Sequence, residues 1–210
     1  MRKQLTENSA RPRVEIRGRK ANELRELEPH FWRILEASYS KTERGHTAVH
    51  KARYRWLLKS NPHSMVYFAS VNGEPVALGL VLQKKERWYG FAADNTQLKK
   101  ISGKQAVKVL GEAMDGIAEK ISHSHPTAWG TVNAQDNSRR RFFERHGWKA
   151  VATRQEVLAQ FRRMGERYDA RQFHIQIIEG KKPFAQFTRA TSVNGPKYAQ
   201  VLFVRQPDKK

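Results

Sequence analysis

The side chains with the clearest chemical potential are arginines on one short predicted helix. From Asp136 the sequence reads D-N-S-R-R-R-F-F-E-R-H-G-W, which places four arginines within seven residues: Arg139, Arg140, Arg141 and Arg145. Guanidinium groups bind phosphates through charge-assisted hydrogen bonds, so this helix predicts contact with a polyanion. Arg162 and Arg163 extend the basic material in the next segment. The alternative is a solvated basic surface without a dedicated partner.

The composition supports a polyanionic partner. The 210 residues contain 40 Lys and Arg against 20 Asp and Glu, a formal net charge of +20. Such an excess favours nucleic acid, DNA or RNA, or a complex that contains it. Aromatic residues beside basic ones offer rings on which bases could stack, in Tyr54-Arg55-Trp56 and Arg87-Trp88-Tyr89. Core packing is the favoured interpretation of both groups.

Several classes of function are excluded or disfavoured. The chain has no Cys, which removes disulfides, thiolate zinc sites and cysteine nucleophiles. Its eight His show no metal-ligand spacing, so we expect no metal site, and no hydrolase elbow or Walker loop is present. No apolar run approaches the roughly 20 residues of a membrane span, and no secretory signal is visible. We expect a cytoplasmic protein without a membrane partner, associated with nucleoid or ribosome.

The elements that must position these residues begin with a strand and two helices. A strand is predicted over 13–17, a helix over 21–39 that Pro29 kinks or breaks, and a second helix over 47–59. Asn72-Gly73 predicts a tight hairpin between strands 65–71 and 74–83, because a type I′ turn requires two residues with positive φ. A third strand over 87–93 completes the meander.

The second half of the predicted domain alternates helices and strands. Helix 104–120 is predicted to bury Val107, Leu110, Met114, Ile117 and Ala118. A strand ends near Val132, and a polar turn capped by Asp136 or Asn137 begins the arginine-bearing helix. Strands are predicted at 148–151, 171–178 and 198–204. We therefore expect a basic flexible arm over 1–12, one domain over 13–180, and a basic C-terminal extension over 181–210 that is either a β-hairpin on the sheet or an arm.

The segment from Thr131 to Trp148 resembles the last block of the GNAT (Gcn5-related N-acyltransferase) superfamily, V-x-x-x-N-x-x-A-x-x-F-Y-E-x-x-G-F. Matching spacings are found at Val132, Phe142, Glu144, Gly147 and Trp148. The sequence departs from the pattern at Asp136, at Arg139, and at Phe143, where the family often has a Tyr that protonates the leaving thiolate. The alternative is an ordinary amphipathic helix between two strands.

The resemblance implies an α/β fold with a mixed, mostly antiparallel central sheet flanked by helices. It also implies that acyl-CoA, most simply acetyl-CoA, binds in an opening between the fourth and fifth strands. The pyrophosphate would rest on N–H groups at the start of the following helix. The corresponding positions here are degenerate, so an aminoacyl-tRNA donor or an ordinary polar helix start are alternatives. The implied donor-binding residues are Lys100, Ser102, Gly103, Lys104, Gln105, Ala106, Asp136, Asn137, Phe142 and Phe143.

Acyl transfer to an amine also requires proton transfer. An alkyl amine with a pKa near about 10.4 is mostly charged at neutral pH, so a nearby base helps. Asp94, just after the third meander strand, is preferred to Glu86, although a cap of the next turn is its alternative role. Because Phe143 has no hydroxyl, Tyr89, Ser138 or water would protonate the leaving thiolate.

The resemblance and the charge together lead to a functional hypothesis. We expect an N-acyltransferase that modifies an amine on nucleic acid or on a nucleic-acid-associated protein. DNA modification of the phage Mom type is one specific form of this activity. The alternative is a non-catalytic GNAT fold that serves as a nucleic-acid-binding or structural subunit of a ribonucleoprotein.

Overall fold

The computed structural model describes residues 12–39, 47–82, 87–163, 173–189 and 199–205. Side chains are described for these residues except 39, 47–50, 53, 87–91 and 189. The predicted basic arm over 1–12 therefore lies outside the described residues, apart from Pro12.

Nine strands and six α-helices make up the described part of the chain. In order they are β1 (Val14–Lys20), α1 (Glu28–Tyr39), α2 (Thr47–Ser60), β2 (Met65–Val71), β3 (Glu74–Leu82), β4 (Arg87–Ala93), α3 (Asn95–Ser102), α4 (Ala106–Ser124), β5 (Trp129–Asn133), α5 (Asn137–Arg145), β6 (Trp148–Ala150), α6 (Arg154–Arg163), β7 (Phe173–Ile178), β8 (Phe184–Arg189) and β9 (Gln200–Arg205). Short 3₁₀ turns occupy Ala21–Glu23, Arg25–Leu27 and Gly103–Gln105.

The strands form one mixed sheet. Its order is β1-β2-β3-β4-β5-β9-β8-β7, and β6 also pairs with β9. The β4–β5 pair is parallel, and the other described pairs are antiparallel. The prediction of a mostly antiparallel central sheet flanked by helices is confirmed.

Helices cover both faces of the sheet, because successive side chains on its central strands are buried on opposite faces. On β2, Tyr67 and Ala69 belong to the core under α4 and α5, whereas Val66 and Phe68 belong to the core under α1 and α2. A third core joins α6 to β7, β8 and β9 on the same face as α1 and α2. The sheet is therefore the middle layer of three.

The predicted hairpin between β2 and β3 is confirmed. Asn72 has φ 50° and Gly73 has φ 85°. These are the two positive φ values that a type I′ turn requires, and few residues other than Asn and Gly adopt them readily.

Helix α1 begins later than the sequence predicted. Two 3₁₀ turns precede it, and Pro29 is its second residue. Proline is tolerated in the first turn because the N–H that it lacks has no partner inside the helix there. Pro29 therefore marks the start of the helix and does not kink it.

One helix was missed by the sequence analysis. Helix α3 (Asn95–Ser102) begins directly after β4, and the side chain of Asp94 accepts a hydrogen bond of 2.9 Å from the Gln97 N–H. Its sequence N-T-Q-L-K-K-I-S carries few apolar residues, so only tertiary packing of Leu98 reveals it.

The basic C-terminal extension expected from residue 181 is not confirmed. Strands β7 and β8 form a hairpin across residue 180, and β9 lies between β5 and β8 inside the sheet. Leu202 and Phe203 on β9 are both fully buried, on opposite faces of the sheet. The lysines at 181 and 182 belong to the exposed β7–β8 turn, which explains why this stretch resembled a basic extension. Residues 190–198 and 206–210 lie outside the described part.

Candidate active site

The site is built where the parallel strands β4 and β5 separate. Within the described chain they pair only at Arg87 and Trp129, near the start of each strand. Beyond that point β4 stays paired with β3 as far as Ala93, and β5 stays paired with β9 as far as Asn133. Each strand is therefore held on its outer edge while the inner edges diverge, which is the opening implied by the sequence resemblance.

A cleft of about 540 Å³ lies at the diverging end. The end of α1, the β4–α3 junction, one side of α4 and one side of α5 enclose it. The lining residues are Ala37, Ser38, Ala93, Asn95, Val107, Leu110, Gly111, Met114, Asp115, Ser138, Arg139, Phe142 and Arg145. Of these, the sequence analysis had named only Ser138, Arg139, Phe142 and Arg145 as site residues.

Helix α4 turns an apolar side toward the cleft. Val107 is 84% exposed, and it lines the cleft with Leu110 and Met114. The sequence analysis placed these three residues in the core, which is wrong for Val107 and incomplete for the others. Ile117 and Ala118 are buried as predicted, and they share the buried face of α4 with Ala106, Val109, Ala113 and Ile121. Both stripes repeat at helical spacing, so periodicity alone did not separate them.

The two phenylalanines of α5 have different surroundings. Phe142 lines the cleft, whereas Phe143 is 5% exposed and packs in the core. The ring centroid of Phe143 lies 5.3 Å from that of Trp148 and 5.0 Å from that of Phe203. The structure therefore brings Phe142 to the cleft and does not bring Phe143 there.

The turn before α5 is organised by Asp136. Its Oδ1 accepts hydrogen bonds from the Arg139 N–H at 3.0 Å and from the Ser138 hydroxyl at 2.7 Å. Partial burial acts to raise the pKa of Asp136, but these hydrogen bonds and the Arg139 charge together lower the pKa below its ordinary value. Asn137 is exposed and begins the helix. Ser138 thus lines the cleft with its hydroxyl proton directed to Asp136.

Two cations stand at the rim of the cleft on α5. Arg139 and Arg145 have exposed side chains, 65% and 68%, and each is near one acid. The Arg139 Nε lies 3.5 Å from Asp136, and an Arg145 nitrogen lies 3.8 Å from Asp115. Asp115 also lies 2.9 Å from Nε2 of His146, a contact that joins α4 to the end of α5. The rim therefore holds exposed positive charge over an apolar interior.

The predicted pyrophosphate segment lies at the start of α4. Lys100 and Ser102 belong to the last turn of α3, with Ser102 buried and Lys100 exposed. Gly103 has φ 50°, and Lys104 and Gln105 follow it, both exposed, in a 3₁₀ turn. Ala106 is buried and opens α4 one residue before the cleft residue Val107. None of these six residues lines the cleft itself, so their donor-binding role stays a prediction.

Asp94 has structural partners on both carboxylate oxygens. Oδ1 caps α3, and Oδ2 accepts a hydrogen bond of 2.6 Å from Arg33 on α1. Arg33 also donates to Glu74 at 2.8 Å and to the Pro75 carbonyl at 2.6 Å. At 6% exposure Asp94 faces this network, although its neighbours Ala93 and Asn95 line the cleft. The structure thus shows the capping role that was the alternative, and its role as a base stays a prediction.

The other proposed proton donors and bases are not located by the structure. Tyr89 lies on β4, but its side chain is outside the described ones, and Glu86 lies outside the described residues. Both stay predictions.

The predicted nucleic-acid arginines fall into three groups, the first being Arg139 and Arg145 at the rim of the cleft. Arg140 is partly buried, with its guanidinium 4.0 Å over the Phe184 ring and a hydrogen bond of 3.4 Å to the Ala134 carbonyl. Arg141 on α5 and Arg162 and Arg163 on α6 are exposed. Arg140 therefore has a packing role, while the exposed arginines remain available for a polyanion.

Two further observations concern only the described residues. No helix among them is long and apolar enough to cross a bilayer. No three of their His, Asp or Glu side chains cluster in a way that would hold a metal ion.

Comparison with known proteins identifies the fold. No family model matches the sequence, and no curated protein sequence matches it. A probable acetyltransferase from Staphylococcus epidermidis matches 91% of this chain and 98% of its own, with 11% identity and a TM-score of 0.50. Aminoglycoside 6'-acetyltransferase type Ii matches 93% of this chain and 99% of its own, with 11% identity and a TM-score of 0.50. These likenesses concern the fold alone, and the fold of this chain is that of the GNAT N-acyltransferases.

Proposed function

We propose that this chain is an N-acyltransferase whose acyl donor, an acyl-CoA and most simply acetyl-CoA, binds in the cleft between β4 and β5. One observation carries the proposal: in the part of the chain that the structure describes, two parallel strands pair at a single position and then diverge beside an apolar cleft. An aminoacyl-tRNA donor is the alternative for the same cleft.

The residues present fit such a donor. Val107, Leu110, Met114 and Phe142 provide an apolar surface for a thioester arm. The diverging inner edges of β4 and β5 leave main-chain N–H and C=O groups that can pair with the amide groups of that arm. Arg139 at the rim supplies a guanidinium for phosphate oxygens, and Arg145 supplies a second one.

The chemical step is a simple exchange of bonds. The nitrogen of an uncharged amine attacks the thioester carbonyl carbon, a C–N bond forms and the C–S bond breaks. The amine loses one proton and the leaving thiolate gains one, so the products are an amide and a thiol. The Ser138 hydroxyl proton is directed to Asp136, and Asp94 is held by Arg33. We therefore assign both proton transfers to solvent water: water accepts the proton of the amine in place of Asp94, and it supplies the proton of the thiol in place of Ser138.

For the acceptor we propose an amine on nucleic acid or on a nucleic-acid-associated protein. The support is the net charge of +20 together with the exposed arginines at 141, 162 and 163. DNA modification of the phage Mom type is one form that this activity would take.

A second candidate function is a non-catalytic nucleic-acid-binding or structural subunit. The observation in its favour is Phe143, which is buried in the core and provides no hydroxyl for the leaving group. This candidate predicts nucleic-acid binding without donor binding.

Calorimetric titration with acetyl-CoA separates the two functions. The enzyme is expected to bind acetyl-CoA at micromolar concentration, and Arg139→Gln or Arg145→Gln is expected to weaken binding by at least about 10-fold through loss of one charge-assisted hydrogen bond. Arg141→Gln is the matched control, since Arg141 is exposed on the same helix but does not line the cleft. Equal losses in all three variants, or no binding by the wild type, would refute the proposed donor site.

Transfer is measured next with acetyl-CoA that carries a labelled acetyl group. Single-stranded and duplex DNA, RNA and a ribosome preparation serve as acceptors, and label in the acceptor supports the enzyme. Asp94→Asn tests the base, because Asn keeps the ability to cap α3. If Asp94→Asn loses transfer while its melting temperature is unchanged, Asp94 is the base that accepts the proton of the amine. If the variant retains transfer, the result supports release of that proton to water.

A further inference from the structure

Helix α2 carries positive charge and no acid. Its sequence, T-A-V-H-K-A-R-Y-R-W-L-L-K-S, contains no Asp or Glu. Tyr54 and Leu57 are buried against α1, and Lys51 pairs with Glu36 of that helix. The cations on the opposite side, Arg55 and Lys59, are exposed.

A large aromatic side chain lies among these cations. Trp56 is 65% exposed, and only Val107 is another exposed large hydrophobic residue in the part of the chain that the structure describes. The sequence analysis favoured core packing for this Trp, and the structure places only its neighbour Tyr54 in the core. Residues three and four apart share one side of a helix, so Lys59 lies beside both Arg55 and Trp56. These three residues are named here the α2 face.

The position of Arg55 is fixed by α1. Its guanidinium lies 5.3 Å above the Trp32 ring, and the Trp32 indole N–H donates to Glu28 at 3.1 Å. Such a cation–π contact holds the charge at the surface without neutralising it. The α2 face is therefore preorganised, with one charge held in place beside the exposed indole.

The α2 face is also connected to the cleft. Helices α1 and α2 run antiparallel, because Lys51 pairs with Glu36 while Tyr54 packs on Phe31 at 6.2 Å. The residues just after Glu36, at 37 and 38, line the cleft. Lys51 therefore marks the end of α2 that is nearer the cleft, and Trp56 lies five residues farther from it, roughly 7.5 Å along the helix at about 1.5 Å per residue. A polymer lying along α2 thus leads toward the cleft.

We propose that the α2 face is a docking site for single-stranded nucleic acid, with a base stacked on Trp56 and phosphates contacting Arg55 and Lys59. An indole ring stacks on every base, and flanking cations follow the backbone, which is how many proteins hold single strands. Charge complementarity favours a polyanion, since the helix has no acid and the chain carries +20, and the exposed ring of Trp56 favours a single strand whose bases are free to stack. The proposal rests on the proposed function and deepens it by locating its nucleic-acid acceptor.

The test uses fluorescence anisotropy with a labelled single strand of about 12 nucleotides, a length within the site sizes known for such proteins. DNA and RNA of the same sequence are separate arms. Trp56→Ala is expected to weaken binding by about 5- to 150-fold, the range for loss of one stacked base. Trp56→Tyr retains a stacking ring and is expected to recover most of the affinity.

Charge variants give an independent measurement. Arg55→Gln and Lys59→Gln are each expected to lower the slope of log affinity against log salt by about 0.7, the value for one phosphate contact on a single strand. Lys120→Gln is the matched control, since Lys120 is an exposed cation on α4 away from this face, and it is expected to change nothing. Melting temperature is recorded for every variant to show that each one folds.

The outcomes separate this inference from the proposed function. Equal binding by wild type and Trp56→Ala, or no binding of either strand by the wild type, overturns the α2 site. Binding of anionic lipid vesicles that depends on Trp56, without oligonucleotide binding, also overturns it in favour of a membrane surface. Calorimetry with acetyl-CoA tests the donor site alone: its failure in the wild type refutes the enzyme, while a Trp56-dependent strand affinity still supports the α2 face.

Discussion

Gly111 offers the sharpest test of the donor cleft, because a small and a large replacement there are expected to act in opposite directions. It lies inside α4, lines the cleft, and has an ordinary negative φ. A Cβ added at this position meets no atom within 4 Å. Gly111→Ala therefore introduces no clash, whereas Gly111→Trp projects a ring into the space that the donor would occupy.

The magnitudes follow from helix propensity and from the apolar surface of the cleft. Replacement of a helical Gly by Ala stabilises by about 0.8–1 kcal/mol. For a chain of this size each kcal/mol raises the melting temperature by about 2–4 °C. A Trp side chain brings about 150–250 Å² of surface, and from position 111 it would cover the apolar wall that Val107, Leu110 and Met114 offer to the donor. We expect Gly111→Trp to weaken acetyl-CoA binding by more than about 10-fold, or about 1.4 kcal/mol.

The assay combines thermal unfolding with acetyl-CoA calorimetry on both variants. Lys108→Trp is the matched control, because it adds the same ring to an exposed position of α4 that does not line the cleft. The expected result is a stabilised, binding-competent Gly111→Ala and a folded, binding-deficient Gly111→Trp. Undiminished binding by Gly111→Trp would refute the placement of the donor, and a lower melting temperature for Gly111→Ala would refute the open geometry.

Three further predictions concern the contacts that support the cleft. Gly147 has φ 74°, a left-handed conformation that costs a residue with a Cβ about 1–2 kcal/mol, and the added Cβ would also displace Nη1 of Arg205. Gly147→Ala is therefore expected to cost about 1–2 kcal/mol in denaturant unfolding, and no measurable loss would contradict this backbone conformation. The lowered pKa of Asp136 contributes stability that is present above the ordinary pKa of about 3.9 and is lost as pH falls through the lowered pKa. Asp136→Asn should remove this pH dependence, and identical pH profiles of wild type and variant would argue against it. Arg33→Met leaves the buried Asp94 carboxylate without its cation and is expected to lower the free energy of unfolding by about 2–3 kcal/mol. This is less than for a fully buried ion pair, because the Arg33 side chain is 33% exposed. Addition of Asp94→Asn should restore part of the lost stability, and no recovery would show that the unpaired charge is not the cause.

Local signals in the sequence predicted most of the elements. The Asn72-Gly73 turn and the Asp136 cap each depend on the conformation of a few adjacent residues, and both are present in the structure. The hairpin β2–β3 and the start of helix α5 were therefore placed within one or two residues. A weakly apolar segment such as α3 has no such local signal beyond its cap, and it was missed.

The candidate site was less predictable because it depends on which face of each helix meets the sheet. Helix α4 has two apolar stripes at helical spacing, and the small residues decide which of the two stripes packs on the sheet. Gly116 allows α4 to approach β1 so closely that an added Cβ would lie 2.9 Å from Ile16. This approach buries the Ala113 side of the helix and leaves Val107 exposed at the cleft.

The amino-acid sequence alone determined the turns, the caps, the positive charge and the block that resembles GNAT proteins, because each of these depends on residues close together in the chain. The tertiary structure alone decided that β4 and β5 meet, within the described chain, only at Arg87 and Trp129, and that β9 enters the sheet beside β5. Strand pairing joins residues tens of positions apart, and its energy comes from the burial of both partners. No window of adjacent residues contains that information, so the resemblance could imply an opening between these strands, but most of the residues that line the cleft became visible only in the folded chain.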